Sequence, residues 1–293
     1  MAFAPPTSPY KIVLVGAGAV GTAVAELLRR RGHEIVGVAS RTTASADRAA
    51  ALLGSAAIPI DSKVLGTADI VLIGAADVAI PEVANGLAAR VRPGAAAVHF
   101  AGAFGTALLA PLVDAGASAL ALHPVQACPD VELAIRRLPG SAWGVTTSPG
   151  AEEWATSLVR EDLEGSPHVV GEEHRPLWHA AAVVTSNGLA ALLASAEEML
   201  HAIGVDDPGS VLAPLAIGTL SNTAETGGGS ALTGPAVRGD LETVRRHLDA
   251  LEGFPELRDA YVVATKLILA AARRAGRTDD QTRAALLALL DDA

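Results

Sequence analysis

The stretch Lys11-Ile-Val-Leu-Val-Gly-Ala-Gly-Ala-Val-Gly21 decides the fold of this chain. A short apolar run leads into the spacing G-x-G-x-x-G, and a helix-period pattern follows it. The first glycine allows a tight turn, the second lets a diphosphate approach the backbone, and the third lets helix and strand pack closely. Unpaired N–H groups and the positive end of the helix then converge on the phosphates. The stretch predicts a dinucleotide site that uses Gly16, Gly18, Ala19, Val20 and Gly21.

The end of the second predicted strand, residues 34–39, indicates which dinucleotide binds. It lacks the Asp or Glu that would accept a hydrogen bond from a ribose 2′-hydroxyl. Ser40, Arg41 and Thr42 follow instead, and their hydroxyls and guanidinium suit a 2′-phosphate. The sequence therefore predicts NADP(H) as the cofactor, with an unliganded glycine turn and a merely solvated arginine as the alternatives.

The first half of the chain alternates between strand-like and helix-like patterns. Short continuous apolar runs lie at 11–15, 34–39, 69–74, 95–100, 119–122 and 142–146. Helical patterns at 19–31, 45–53, 79–89 and 104–115 separate them. This order predicts an α/β domain with a parallel, doubly wound sheet. Ala75, Ala76 and Asp77 follow the run at 69–74, so we expect them to border the cofactor, although Asp77 can also cap the next helix.

The pattern changes near residue 170, after which strand signals almost vanish. Residues 175–203 read as one long apolar-periodic helix, and further helices are predicted from 207, with a restart at Pro214, and over 240–251, 255–274 and 279–290. We therefore expect a Rossmann NADP-binding domain over 1–170 and an all-α substrate and dimerisation domain over 171–293. A long Ala-rich helix with apolar residues on several faces predicts packing against a second subunit, with burial within one chain as the alternative.

Composition narrows the classes of function. The net charge of −10 argues against a nucleic-acid partner or an acidic membrane surface. A single cysteine, Cys128, favours packing and a reducing cytoplasm over a disulfide framework. We find no signal peptide, no transmembrane span and no motif of metal ligands.

Two histidines end predicted strands, where ligands of α/β sheets bind. His99 lies near the end of the run at 95–100, and His123 directly follows the run at 119–122, with a proline after it. The proline holds this histidine in extended backbone and aims its imidazole. His123 is therefore a candidate proton donor or carbonyl ligand. The alternative for either residue is a satisfied polar group at a strand end.

Two further polar segments belong to the helical half. His179 and Asn187 are eight residues apart in the long helix and so lie close to one face, with Ser186 beside the asparagine. Asn187 suits a carboxylate, a carbonyl or the nicotinamide amide, and an interhelix hydrogen bond is the alternative. Arg238 suits a substrate carboxylate bidentately, unless it pairs with Asp240 at a helix start.

Four segments together resemble Rossmann-like proteins with a C-terminal domain of unknown function, number 2520. They are G-A-G-A-V-G at 16–21, H-P-V-Q at 123–126, H-A-A-A-V-V-T-S-N at 179–187 and A-L-T-G-P-A-V-R-G-D at 231–240. This family is related to ketopantoate reductases, pyrroline-5-carboxylate reductases, prephenate dehydrogenases and 6-phosphogluconate-type dehydrogenases. The resemblance implies a helical C-terminal domain that dimerises and a substrate cleft between the domains.

The chain departs from the hydroxyacid dehydrogenases of that group at one position. Those enzymes carry a lysine four residues before the asparagine of the long helix, and Val183 stands there in this sequence. A ketone reductase built on this chain would need another proton donor, and His179 or His123 is the candidate. Pyrroline-5-carboxylate reductases also lack that lysine, so imine reduction stays open.

The sequence as a whole favours an NADP(H)-dependent oxidoreductase that reduces the C=O or C=N bond of a small carboxylic acid. A ketopantoate-like 2-oxo acid and a cyclic imine are the two substrate types considered. Two alternatives stay open. One is a non-catalytic sensor dimer that binds NADP(H), and the other is an NADP oxidoreductase that also uses a deazaflavin.

Overall fold

A computed structural model describes residues 5–291 of the chain. Its strands are β1 Lys11–Val15, β2 Glu34–Ala39, β3 Ile70–Ile73, β4 Ala96–His99, β5 Ser118–Pro124, β6 Ala142–Thr147 and β7 Ser166–Val169. They form one sheet in the order β2-β1-β3-β4-β5-β6-β7. The predicted α/β class, a Rossmann domain followed by a helical domain, is confirmed.

The sheet is parallel except at one pair of strands. β1 to β5 run parallel as predicted, whereas β6 pairs antiparallel with β5, and β7 then pairs parallel with β6. The prediction of a wholly parallel sheet was therefore wrong at β6. The sequence pattern also missed β7, because its residues Ser-Pro-His-Val are mostly exposed and carry no apolar run.

Helices cover both faces of the sheet. The helices among residues 5–183 are α1 Ala19–Arg30, α2 Thr43–Leu53, α3 Ile80–Leu87, α4 Ala110–Asp114, α5 Val131–Arg137, α6 Glu152–Ser157 and α7 Arg175–Val183. Successive side chains of β1 point alternately into two separate cores. Ile12 and Leu14 pack in one core with α1, and Val13 and Val15 pack in the other with α3. This double burial explains why the strands read as continuous apolar runs.

The order of the strands reverses between β1 and β3. The chain moves outward from β1 to β2 and then returns to place β3 on the other side of β1. The helices that follow β1 and β3 therefore pack in different cores, on opposite faces of the sheet. The carboxyl edge of the sheet at this reversal is the position where open α/β sheets bind their ligands.

The second half is helical in the part of the chain that the structure describes. Its helices are α8 Leu189–His201, α9 Pro208–Thr226, α10 Gly228–Ala231, α11 Pro235–Arg238, α12 Leu241–Ala250, α13 Pro255–Arg274 and α14 Asp280–Asp291. Pro214 lies inside α9 without ending it, so the expected restart at this proline was wrong. Asp240 accepts a hydrogen bond from the N–H of Thr243 at 3.0 Å and caps α12, as predicted.

The long helix predicted over 175–203 is interrupted by a wider turn. α7 ends at Val183, residues 184–188 form a π-helical turn, and α8 follows directly. Such single π turns inside α-helices are often found at functional sites. Ser186 and Asn187, two of the predicted site residues, lie within this turn.

The chain divides into two compact units, one up to Val184 and the other from Thr185 onward. This division lies later than the boundary predicted after residue 170. The physical reason is that α7 packs on the sheet, since Arg175 and Trp178 both hydrogen-bond to residues of the first unit.

Residues 172–201 are the one helical stretch among the described residues that is long and apolar enough to cross a membrane. This criterion uses length and composition alone, and helices of soluble proteins also meet it. None of the most apolar window of this stretch is buried inside the chain. Several of its apolar side chains, among them Leu177, Val184 and Leu192, are exposed.

Candidate functional site

The glycine turn after β1 is held against the ends of β2 and β3 by backbone hydrogen bonds. Gly16 donates its N–H to the Ala39 carbonyl at 2.8 Å, and Gly18 donates to the Gly74 carbonyl at 3.1 Å. Gly16 has a φ of +87°, in the left-handed region that side chains rarely adopt. The turn therefore depends on glycine at the first position for its conformation.

The other two glycines are required by space. A Cβ atom on Gly21 would lie 2.7 Å from the Cα of Gly74, and one on Gly18 would overlap the Gly74 carbonyl oxygen. Gly74 is restricted in the same way, because its own Cβ would lie 2.5 Å from the Gly16 carbonyl oxygen. The three glycines of the motif thus bring the turn into direct backbone contact with β3.

The start of α1 is left open for an anion. Its first-turn N–H groups, on Ala19, Val20 and Gly21, have no partner within the helix by geometry. The N-cap residue is Gly18, which has no side chain to cap them, and the first turn carries no acidic residue. These N–H groups and the positive end of the helix favour a diphosphate at this position.

The predicted 2′-phosphate ligands lie directly after β2. Ser40 is half-buried, while Arg41 and Thr42 are exposed. Thr42 caps α2 by accepting a hydrogen bond from the N–H of Ser45 at 3.3 Å. The first turn of α2 carries no acidic residue that would repel a phosphate beside Arg41.

The predicted residues after β3 border the same turn. Ala75 is half-buried, and a Cβ on Gly16 would lie 2.7 Å from its backbone nitrogen. Ala76 and Asp77 are exposed, and Asp77 begins a short 3-10 turn through Ala79. Asp77 does not cap this turn through its side chain, so the capping alternative was wrong.

The structure brings together the two histidines that the sequence proposed as proton donors. The rings of His123 and His179 are 5.2 Å apart between centroids and nearly perpendicular, at 86°. Both point at Gly102, in the loop after β4. A Cβ on Gly102 would lie 2.8 Å from Nε2 of His123 and would overlap Nδ1 of His179. Residues from β5, α7 and the β4 loop thus meet at one point.

His123 is held in one neutral form. The indole nitrogen of Trp178 donates a hydrogen bond to its Nδ1 at 3.1 Å. Because indole is a donor only, Nδ1 carries no proton, and the neutral ring holds its proton on Nε2. Burial, with smaller effects from Arg175 and His179, lowers the pKa of His123 to about 4. His123 is therefore a neutral hydrogen-bond donor at pH 7.

His179 differs from His123 in its contacts. Its Nδ1 is buried and has no hydrogen-bond partner among the described residues. A buried polar atom without a partner costs free energy, and such atoms are uncommon in native proteins. Nδ1 of His179 therefore has unused hydrogen-bonding capacity beside Gly102.

His99 is a structural residue. It is fully buried, accepts a hydrogen bond from the N–H of Ala101 at 3.1 Å and donates from Nε2 to the Gly105 carbonyl at 2.8 Å. Burial lowers its pKa to about 4, so it is neutral at pH 7. Both of its nitrogens are occupied, which fits the alternative of a satisfied polar group at a strand end.

Sequence reasoning missed a buried arginine below the histidine pair. Arg175 is fully buried and donates to the carbonyls of Ala101 at 2.7 Å, Phe104 at 3.0 Å and Gly144 at 3.1 Å. Burial lowers its pKa to about 10, so it stays charged at pH 7. It places a positive charge beneath the site and ties the β4 loop to β6 and α7.

Glu172 holds the far end of the same loop. Its carboxylate accepts hydrogen bonds from the N–H of Thr106, at 2.6 Å, and from the Thr106 hydroxyl.

The sequence around Arg175 gives little indication of these contacts. An Arg-Pro pair after three polar residues is typical of an ordinary exposed helix start. In the sequence, Trp178 directly before His179 was the one available sign of this cluster. A tryptophan in an apolar-periodic helix is ordinarily interpreted as a core residue.

The remaining predicted site residues belong to the second unit. The Ser186 hydroxyl donates to the side-chain oxygen of Asn187 at 3.3 Å in the π turn. Arg238 ends α11 as an exposed side chain and lowers the pKa of Asp240, though hydrogen bonds from Thr243 contribute more. No ion pair with Asp240 forms among the described residues, so the predicted mutual pairing is absent. The roles of these three residues toward substrate stay predictions.

Two other side-chain types contribute little to this site. Cys128 packs half-buried against the core, and burial raises the pKa of its thiol, which disfavours a nucleophilic thiolate. Within residues 5–291, no group of three or more His, Cys, Asp or Glu side chains is placed to hold a metal ion.

The buried histidines predict a pH dependence of stability. His99 and His123 have folded pKa values of about 4, against 6.5 for the ordinary side chain. Between pH 6.5 and 4 the unfolded chain binds protons that the folded chain does not. The free energy of unfolding of the first unit should therefore fall as the pH drops through this window, by on the order of 3 kcal/mol per histidine.

All three tryptophans lie at or before position 178, so urea unfolding followed by tryptophan fluorescence reports on the first unit. His123→Gln should make the pH slope shallower, whereas exposed His174→Gln should leave it unchanged. An equally steep slope in His123→Gln and the unmodified protein would contradict the assignment of a depressed pKa to His123.

Two known domain families match successive parts of the chain. Residues 6–124 match the Rossmann-like domain, and residues 141–268 match the domain of unknown function 2520. No curated protein matches the sequence significantly.

Several solved structures share the fold over most of their length. A Bacteroides fragilis protein provisionally described as an NADP oxidoreductase is 25% identical, covers 88% of this chain and 97% of its own, and has a TM-score of 0.71. A reductive aminase from Aspergillus terreus, solved with NADPH and ethyl-5-oxohexanoate, is 20% identical, with coverages of 97% and 93% and a TM-score of 0.59.

A pyrroline-5-carboxylate reductase from Coxiella burnetii is 14% identical, covers 90% of this chain and 99% of its own, and has a TM-score of 0.57. At identities below 25% these last two show the shared fold alone. The positions of the two family matches confirm the resemblance seen in the sequence motifs: this chain joins a Rossmann-like domain to a domain of unknown function 2520.

Proposed function

We propose that this protein is an NADP(H)-dependent oxidoreductase that reduces the C=O or C=N bond of a small carboxylic acid. The observation that carries the proposal is the open start of α1, where three glycines press the turn against Gly74 and leave free N–H groups. The name of the Bacteroides fragilis protein and the NADPH bound to the reductive aminase support a nicotinamide dinucleotide in this fold.

The residues at the carboxyl edge fit such a cofactor. The N–H groups of Ala19 to Gly21 would hold its diphosphate, and Ala75 to Asp77 would border it. Arg41 would pair with the 2′-phosphate, because it is exposed and forms no ion pair with a carboxylate among residues 5–291. Ser40 and Thr42 would add hydroxyl contacts.

The preference for NADPH should depend on Arg41. NADPH should bind at least tenfold more tightly than NADH, and Arg41→Ala should remove most of this difference, because a guanidinium binds a phosphate with charge-assisted hydrogen bonds. Isothermal titration calorimetry with both coenzymes measures it. Arg90→Ala, an exposed arginine after α3, is the control and should retain the preference. Equal affinities of the unmodified protein for both coenzymes would refute this role.

The histidine pair supplies the groups that a reduction needs. When bound, reduced nicotinamide supplies a hydride to the substrate carbon. The Nε2–H of His123 would donate a hydrogen bond to the substrate heteroatom. His179, whose Nδ1 has no partner among the described residues, would deliver the proton. These two roles replace the lysine that the hydroxyacid dehydrogenases carry.

Turnover should therefore depend on both histidines. His179→Ala and His123→Ala should each lower kcat about 100-fold or more, as expected for loss of a positioned acid. The loss of NADPH absorbance with a panel of 2-oxo acids and cyclic imine acids measures it. His174→Ala, an exposed histidine ahead of α7, should keep full activity. Unchanged turnover in both active-site variants would show that the acid lies elsewhere.

The same panel separates the enzyme from a sensor. A protein that binds NADPH tightly and oxidises it with no substrate of the panel would support the non-catalytic sensor. A bound chromophore in the purified protein would support the deazaflavin alternative.

We also propose a homodimer through the helical half. Large apolar side chains are exposed on two helices of the second unit, α9 and α13: Val211, Leu215, Ile217, Leu220, Val263 and Leu267. Monomers rarely leave such surfaces uncovered. A second copy of the chain would cover them, as the exposed helix at 172–201 also favours.

Sedimentation equilibrium at micromolar concentration should give the mass of a dimer. Leu215→Asp should shift the protein to monomer, because it places a charge in the covered apolar surface. Leu52→Asp, at an exposed leucine of α2 in the first unit, should remain dimeric. A monomeric unmodified protein would contradict this proposal.

A further inference from the structure

The role of His123 depends on a residue that does not itself reach the reacting atoms. Trp178 lies in α7, one residue before His179, and its indole N–H meets Nδ1 of His123 at 3.1 Å. The indole is itself held from the other side. A Cβ on Gly144, in β6, would lie 2.7 Å from the indole nitrogen, so the strand backbone packs directly on the ring.

The ring of Trp178 has little freedom to turn away. The imidazole of His168, in β7, lies 6.0 Å from it between centroids, tilted by 40°. Arg175, one turn earlier on α7, donates to the Gly144 carbonyl and anchors the helix to the same strand. The geometry therefore keeps a hydrogen-bond donor permanently aimed at Nδ1 of His123.

The groups around His123 all disfavour a second positive charge there. Arg175 lies beneath it as a buried cation, and His179 is its perpendicular neighbour. Trp178 contributes a donor, which repels a proton on Nδ1. Arg175 donates hydrogen bonds to the neutral carbonyls of Ala101, Phe104 and Gly144, and the Glu172 carboxylate accepts from Thr106 at the outer end of the loop.

Such surroundings distinguish the two substrate types. A carbonyl oxygen accepts the Nε2–H hydrogen bond and gains negative charge as the hydride arrives, which a nearby guanidinium stabilises. An imine must carry a proton to accept hydride readily, and it then has an N–H donor and a positive charge. That cation would face the Nε2–H donor and the buried guanidinium.

We propose that Trp178 is a positioning residue that holds His123 as a neutral Nε2–H donor, so that this site takes a carbonyl substrate rather than a protonated imine. The substrate half of this inference rests on the proposed reductase function. The tautomer half is a property of the folded chain and does not.

Histidine 15N NMR of the full-length protein at pH 7 tests the tautomer. His123, identified by the signal that disappears in His123→Gln, should show a proton on Nε2 and none on Nδ1. Trp178→Phe removes the donor and keeps an aromatic ring, so the His123 signal should move toward a mixture of both tautomers. Trp154→Phe removes another indole hydrogen bond, to the Tyr10 hydroxyl at 3.2 Å, and should leave the His123 signal unchanged.

A His123 ring that is protonated on Nδ1, or that keeps its signal in Trp178→Phe, would overturn the positioning role. A purely structural contribution of Trp178 would alter stability without this spectroscopic change. Trp178→Phe should also lower kcat at least tenfold with little change in the KM for NADPH, and an unchanged kcat would overturn the role as well.

Steady-state NADPH oxidation tests the substrate class. Matched pairs of a 2-oxo acid and a cyclic imine acid of similar size should give turnover with the oxo acids, at least 100-fold faster than with the imines. Faster reduction of the imines would overturn the carbonyl preference. Turnover with neither class would contradict the proposed function, and the NMR result would still decide the role of Trp178.

Discussion

The direct backbone contact between the glycine turn after β1 and Gly74 after β3 is the constraint on which the candidate site depends. No Cβ fits on Gly18, Gly21 or Gly74, so the two chain segments come as close as backbones can. This contact leaves the first turn of α1 uncapped at the carboxyl edge of the sheet. The free N–H groups and the helix dipole are consequences of that packing, and a diphosphate is the ligand that satisfies both.

A second constraint organises the histidine pair. Arg175 and Glu172 act at opposite ends of the β4 loop and hold it against α7, while His99 holds it from below. The loop then presents Gly102 to His123 and His179, and a side chain at that position would fill the space that both rings face. Burying a guanidinium against carbonyl dipoles costs desolvation free energy. The compensating benefit is a fixed positive charge beneath a site where negative charge is proposed to develop.

Sequence reasoning succeeded where the signal was local. The apolar runs predicted six strands because helices cover both faces of the sheet, and the glycine spacing identified the turn. It missed β7, because the sequence Ser-Pro-His-Val contains no apolar run. It also did not predict that β6 runs antiparallel to β5, because the residues of the connecting segment do not specify strand direction. His123 and His179 were predicted singly, as alternative proton donors, and their contact depends on how α7 packs on the sheet.

Arg175, Trp178 and Glu172 could not be predicted for a related reason. Arginine and glutamate at a helix start are ordinarily solvated, and only the packed structure shows that Arg175 is fully buried. Helical periodicity also has no signal for the π turn at 184–188, which shifts the register of everything after it. Local sequence patterns therefore predict single helices and strands, whereas the histidine pair lies where β5, α7 and the loop after β4 meet.

A crystal structure of the full-length protein with NADPH would show whether the open start of α1 holds the coenzyme. We expect the diphosphate on the N–H groups of Ala19 to Gly21, the 2′-phosphate beside Arg41 and the nicotinamide ring next to Gly102 and the histidine pair. A coenzyme bound elsewhere, or a glycine turn that stays unliganded at saturating NADPH, would contradict the proposed cofactor site.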